Sequence, residues 1–268
     1  LPPAEDPGGR RAGMSGALTV RLRDGLPART DFSAVLGTPW TTAAAAEVAR
    51  RTVRLETDGP VSLGELCEVR GEAAGRVRFE GDFALADRLA AGLQEGEVVI
   101  EGNVGREVGL GMAGGSVEVR GNAGSRAAGA APELKRGMSG GELVVRGSAG
   151  PEVGAGMRRG LVAIGGSVAG QAGMSTIAGT VVILGDAGPS PGLWSKRGSI
   201  LALGPVSIPP TYRYACTYQP THVRVILTRL RARYGLPIEE RHIEGLYRRY
   251  SGDLAELGKG EILAWSGP

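Results

Sequence analysis

Between Ala84 and Leu193 the sequence contains no aromatic residue, no histidine and no cysteine. A sandwich or α/β enzyme of that size would fill its core with Phe, Tyr or Trp. The stretch therefore needs a bore so narrow that only Val, Ile, Leu, Met and small residues fit inside. Histidine and cysteine are scarce throughout: His222, His242, Cys67 and Cys216 are the only ones in 268 residues. None of them clusters with carboxylates at ligand spacing, so no metal site is expected. Lysine is limited to Lys135, Lys196 and Lys259 among 31 basic residues. That arginine excess, with abundant Ala, reads as the imprint of a GC-rich genome. The net charge of +3 is too small to drive binding to nucleic acid, and no nucleic-acid partner is expected. No run approaches the roughly 20 apolar residues that span a bilayer, and no apolar signal segment opens the chain. The expectation is a soluble, cytoplasmic protein without a membrane partner, its cysteines reduced.

What the sequence has in excess is glycine, 46 residues, and these recur in order. Gly-Glu-Val-Val-Ile-Glu-Gly-Asn-Val-Gly from Gly96 returns as a related decapeptide from Gly115 and from Gly141, with weaker copies from Gly160, Gly179 and Gly198. A degenerate copy starts at Gly75. A period of about 20 residues marks a solenoid, in which one repeat cannot bury its apolar side alone. The third and fifth positions are apolar in each copy: Val98 and Ile100, Val117 and Val119, Leu143 and Val145, Val162 and Ile164, Val181 and Ile183. A spacing of two places both on one face of a strand. A glycine at position seven and a small polar residue after it (Asn103, Asn122, Ser148, Ser167, Asp186) suit a turn. The second half of the repeat, as in Gly105–Met112 and Gly150–Met157, uses glycine for sharp corners and Met as filler. The fold class expected is an all-β solenoid, a β-helix of about seven coils, roughly 30 Å long at strand spacing.

The expected organisation is a flexible arm over 1–13, an N-terminal cap with irregular early coils over 14–70, the β-helix over 71–205 and a helical cap over 206–268. Met14 is a candidate start. The cap would hold a strand at Ala17–Arg23 and a helix near Thr42–Arg51, with Thr41 or Thr42 as N-cap. Val53–Leu55 and Val61–Leu66 read as early coils. A C-terminal helix capped by Thr221 would run through Tyr234 and stop at Gly235 and Pro237, and a second would span Glu239–Tyr250. Caps are required because open sheet ends pair with other chains. Outward positions begin charged (Arg78, Glu80, Glu118, Arg120) and become apolar in later repeats (Val182, Leu184, Leu201, Leu203). Something must cover those rows, and the helix around Val223–Leu230 is expected to do so. The arginines at 224, 229, 231, 233, 241, 248 and 249 form either a solvated helix face or a surface for an acidic partner or polyanionic cofactor.

Motifs that carry chemistry fail on context. Gly109–Gly114 matches the dinucleotide fingerprint but belongs to the repeat, echoed at Gly154 and Gly156, and no helical pattern follows. Calcium-binding nonapeptides need an Asp in every copy, and Asp186 is alone between Arg88 and Gly204. Hexapeptide acyltransferases need a six-residue period and a His base, and both histidines lie in the C-terminal tail. Ser139, Ser175 and Thr176 have no His near them in sequence.

The runs GEVVIEGNVGREVGLGMAGGSVEVRGNAG (Gly96–Gly124) and GMSGGELVVRGSAGPEVGAGMRRG (Gly137–Gly160) resemble the glycine-rich β-helix of two families. One is the C-subunit family of formylmethanofuran dehydrogenases; the other is the C-terminal domain of glutamate synthase large subunits. With the β-helix as essentially the whole polypeptide, the chain looks more like the first. Its GC-rich imprint is most similar to the C subunit of the bacterial formyltransferase/hydrolase complex of methylotrophs rather than to its tungsten or molybdenum dehydrogenase counterpart. The resemblance implies a non-catalytic structural subunit in a hetero-oligomer with A, B and D subunits. That complex moves a formyl group from formyl-tetrahydromethanopterin to a methanofuran analogue and releases formate in one-carbon oxidation. The metal would sit in the A subunit and formyl transfer in the D subunit. No catalytic, cofactor-binding or metal-ligating residue is expected in this chain.

Overall fold

The computed structural model describes residues 17–37, 39–130 and 136–267. The arm at 1–13, the candidate start at Met14 and Lys135 lie outside the described residues. The first elements are β1 (Leu18–Leu22), β2 (Thr30–Asp31), α1 (Ala45–Ala49), β3 (Thr52–Leu55), β4 (Gly59–Ser62), α2 (Leu63–Leu66) and β5 (Cys67–Arg70). The repeats supply β6 (Arg76–Glu80), β7 (Ala86–Asp87), β8 (Glu97–Ile100), β9 (Ser116–Val119), β10 (Glu142–Val145), β11 (Leu161–Ile164), β12 (Thr180–Ile183) and β13 (Ser199–Ala202). Last come β14 (Arg213–Tyr218), α3 (Thr221–Tyr234), α4 (Glu240–Ile243), β15 (Tyr247–Gly252) and β16 (Gly260–Trp265).

The protein is mostly β, built on a 12-stranded mixed sheet in the order β14-β15-β16-β13-β12-β11-β10-β9-β8-β6-β1-β5. From β1 to β16 neighbours run parallel and in register. Val98 stands beside Val117, then Leu143, Val162, Val181, Ile200 and Ile262, while Ile100 begins the companion row. The period-two spacing puts both rows on the buried face. Each buried Val or Ile contributes roughly 1.5–3 kcal/mol. A second row of parallel bridges joins Phe83, Val104, Ala123, Ala149 and Val168. A third contact line forms in the turns, where Gly109, Ala128, Gly154, Gly173 and Gly192 donate their N–H to the preceding repeat at 2.8 to 2.9 Å. Residues along these lines belong to one apolar cluster that runs from Leu18 to Ile262 and takes in Phe32, Trp40 and Val48 of the N-terminal segment.

Glycine is forced where repeats approach most closely. A Cβ on Gly121 would stand 2.6 Å from the Gly102 carbonyl carbon and from Asn103 Oδ1, so no larger residue fits. The residue that follows each such glycine links the repeats. Asn103 Oδ1 accepts the Asn122 N–H at 2.9 Å and Asn122 Oδ1 accepts the Ser148 N–H at 2.8 Å. The Ser148 and Ser167 hydroxyls then accept the N–H groups of Ser167 and Asp186.

The N-terminal segment differs from the expectation of early coils. Val53–Leu55 and Val61 belong to a β3–β4 hairpin, turned at Gly59 with φ 81°, in a separate 4-stranded sheet ordered β4-β3-β2-β7. Residues 63–66 form α2, started by a reciprocal Ser62–Glu65 capping box. The helix expected over Thr42–Arg51 covers only Ala45–Ala49, and neither threonine caps it. Ala44 bridges Glu72, which keeps the preceding backbone extended, and Thr41 bonds Glu95 instead.

The C-terminal segment is only partly helical, which corrects the expectation for 206–268. Helix α3 spans Thr221–Tyr234 and ends at Gly235 in the left-handed conformation, but Pro220 holds the N-cap position. The second helix is confined to Glu240–Ile243, and from Tyr247 the chain is strand β15. Strand β16 explains why. Its Ile262 and Leu263 continue the parallel ladder beside Ile200 and Leu201, and β15 returns antiparallel along it. Extending the core ladder outweighs the helical spacing of Ile243, Leu246 and Tyr247. Helix α3 covers the outward apolar rows as expected: Val223, Leu227 and Leu230 pack on Val144, Val182 and Leu201. Leu203 is buried, and Leu184 packs against the same cluster.

Candidate interaction surface

The two cysteines and two histidines lie on four different elements, β5, β14, α3 and α4. His222 is exposed on α3, and the buried His242 accepts the Glu239 N–H on Nδ1 at 3.1 Å. Burial lowers the His242 pKa, and its ring meets Trp265 edge-on at 4.7 Å. Burial also pushes the Cys67 thiol up to about 12, which keeps it protonated and unreactive. Cys216 is exposed on β14. The buried Thr176 hydroxyl donates to the Gly173 carbonyl at 2.6 Å, as a packing group does. Gly109–Gly114 lies between β8 and β9, with a strand rather than a helix after it. Among the described residues, no group of three or more His, Cys, Asp or Glu is placed to hold a metal.

What the fold does organise is charge on its outer surface. Glu101 pairs Arg78 at 3.1 Å and Arg120 at 2.7 Å, and Glu118 pairs Arg146 at 2.6 Å, so these ions bridge neighbouring repeats. Asp87 takes Arg106 through Nε at 2.9 Å and through its backbone N–H at 2.8 Å. That interaction raises the Arg106 pKa. At the seam with α3, Glu142 accepts Arg229 at 2.6 Å and the Tyr234 hydroxyl at 2.8 Å. Burial first, and then Glu142, pushes the Tyr234 hydroxyl well above its ordinary value. Arg224 and Arg231 pair Glu244 and Glu240. The helix arginines thus spend much of their charge holding α3 in place.

Exposed apolar side chains and exposed cations also gather where the last repeats meet the loop after β15. Trp194 is 49% exposed beside a groove of about 350 Å³ that Ser175, Ile177, Lys196 and Glu256 also line. Sequence reading passed over Trp194, although aligned repeats carry its signal. Gly192-Leu-Trp194-Ser195 follows Gly109-Leu-Gly-Met112 and Gly154-Ala-Gly-Met157, with Trp in place of the second glycine.

Similarity to solved structures places this architecture. A chain of the formyltransferase/hydrolase complex (FhcABCD) from Methylorubrum extorquens, crystallised with methylofuran, superposes with a TM-score of 0.73 at 33% identity. The alignment covers 92% of this chain and 99% of that one. The chain belongs to the family of formyltransferase/hydrolase complex subunits. No family model and no curated protein matches it. In this formyltransferase/hydrolase subunit, no helix among the described residues is long and apolar enough to cross a membrane.

Proposed function

We propose that the chain is the C subunit of a formyltransferase/hydrolase complex, a β-helical scaffold that docks the A, B and D subunits in the cytoplasm and performs no chemistry itself. In this reading the complex moves a formyl group from formyl-tetrahydromethanopterin to a methanofuran-type cofactor and releases formate. The metal belongs to the A subunit and the transfer site to the D subunit. The observation that carries the reading is the superposition along nearly the whole of an FhcABCD chain. The physical character of the molecule supports it. In-register ladders, glycines admitting no Cβ and side chains bonded from repeat to repeat tie each repeat to the next, as a scaffold requires. Cys67, His242 and Thr176 are buried.

The deciding experiment is co-expression with the neighbouring A, B and D genes followed by native mass measurement. A stable assembly containing all four chains, together with no hydrolase or transferase turnover by the isolated chain, is expected. Turnover by the isolated chain, or its absence from an assembly formed by the other three, would overturn the reading.

A further inference from the structure

We propose that the stack end around Trp194 is the docking surface for a protein partner whose facing surface offers an apolar socket ringed by carboxylates. This rests on the scaffold reading above and adds to it the place and chemistry of one contact.

The apolar centre is built, not incidental. Trp194 has φ 58°, a left-handed conformation held in earlier repeats by Gly111, Gly156 and Ser175 at φ 63°, 66° and 55°. A bulky residue there carries strain of roughly 1–3 kcal/mol that the surroundings must hold. They do so through the buried Asp253, whose Oδ2 accepts the Trp194 N–H at 2.9 Å. The loop that Asp253 begins brings Leu254 and Leu257, exposed at 55% and 53%. Trp194, Leu254 and Leu257 make up half of the exposed large hydrophobic residues among those described, and one carboxylate ties them together.

The rim is cationic and unpaired. Arg158, Ile177 and Lys196 begin the same corner of successive repeats, each donating its backbone N–H to the repeat before it. At about 4.8 Å per repeat, the pairs Arg158–Arg159 and Lys196–Arg197 stand roughly 10 Å apart. All four are exposed, as is Lys259 in the loop beside Leu257. None of the five makes an ion pair or side-chain hydrogen bond among the described residues, whereas the arginines of the earlier repeats are paired with Glu101, Glu118 and Asp87. Glu152 and Glu256 are the acidic residues lining the groove beside Trp194 and Lys196, and Glu152 is paired with Arg126 at 3.8 Å.

An aromatic and aliphatic centre with a charged rim is how protein interfaces are arranged, and Trp and Arg are the residue types that dominate their energies. A sugar–phosphate chain would gain nothing from Leu254 and Leu257. A second copy of this chain would bring cations against cations across a two-fold axis. A carboxylate-ringed protein surface satisfies both components.

The test co-expresses the full chain with the A, B and D subunits and uses two variants. Trp194→Gly removes the side chain while suiting the left-handed backbone, so folding is preserved or improved. The double variant Lys196→Glu/Arg197→Glu reverses the rim charge at exposed positions. Each is expected to melt no lower than wild type and to weaken assembly at least about tenfold by dilution and native mass measurement. Wild-type affinity should also fall with added salt. If wild type assembles and both variants match it, the docking surface is refuted while the scaffold reading stands. If the isolated chain self-associates through Trp194, or the rim variants lose only polynucleotide binding, the proposal is likewise refuted. Failure of wild type itself to assemble would remove the scaffold reading and this inference with it.

Discussion

Asp253 accepts the Trp194 N–H at the point where the preceding repeats place a backbone carbonyl of the next repeat. Gly111 N–H bonds the Gly129 carbonyl, Gly156 N–H bonds that of Met174, and Ser175 N–H bonds that of Leu193. At Trp194 the stack ends, and a carboxylate Oδ2 at 2.9 Å substitutes for the missing repeat. The other oxygen of Asp253 takes the Ala255 N–H at 2.9 Å. A side chain with 0% exposure thus terminates the turn ladder.

Replacing Asp253 by Ala strands two backbone donors at that terminus. An unsatisfied buried polar group costs about 1–3 kcal/mol, so Asp253→Ala should lower the unfolding free energy read from urea denaturation by an amount in that range or somewhat above it. Asp253→Asn keeps one acceptor and should lose less. Equal midpoints for Asp253→Ala and wild type would show that the carboxylate caps nothing.

Glycines of two kinds should respond differently to alanine. At Gly121 an added Cβ meets the Gly102 and Asn103 backbone at 2.6 to 2.7 Å, and Gly121→Ala is expected to prevent accumulation of folded protein. At Gly111 nothing lies within 4 Å, and only the φ of 63° opposes a side chain. Gly111→Ala should cost about 1 kcal/mol in thermal or urea unfolding and leave assembly intact. If the two variants lose equal stability, close stacking is not what dictates glycine.

The two thiols should be separable by rate. Cys216 is exposed and Cys67 is buried with its thiol pushed up to about 12. Near pH 8 a disulfide reagent should titrate one thiol per chain quickly, and the second only after denaturation. Cys216→Ser should abolish the fast phase. Two fast thiols in native protein would contradict the packing around β5.

Alkaline unfolding follows from the same burial. Burial, then the nearby Asp253 charge, pushes Tyr212 from 10.0 up to about 12. A folded pKa above the unfolded one stabilises the protein fully below pH 10 and loses that contribution as pH rises toward 12. Melting temperature should therefore fall between those values, together with the parallel loss from Cys67 above pH 9, its ordinary value. Tyr212→Phe should flatten the fall, at the expense of the 2.9 Å bond from its hydroxyl to the Gly192 carbonyl. An unchanged alkaline profile in that variant would exclude Tyr212 as its source.

The repeat period, the apolar third and fifth positions and the row-closing glycines are local features, and each repeat states them again. They sufficed to determine parallel strands in register, with Val98, Val117 and Leu143 in one line, and even the cover that α3 places over Val182 and Leu201. Three things were decided only in the tertiary structure. Tyr247–Gly252 and Gly260–Trp265 became strands because β13 presented an open edge, which outweighs local helical spacing. Val53 and Val61 joined a separate sheet because β2, from more than twenty residues upstream, paired with the outer side of the β3–β4 hairpin. Asp253 reached Trp194 across 59 residues, a contact that no periodicity announces because it exists only where the repeat stops.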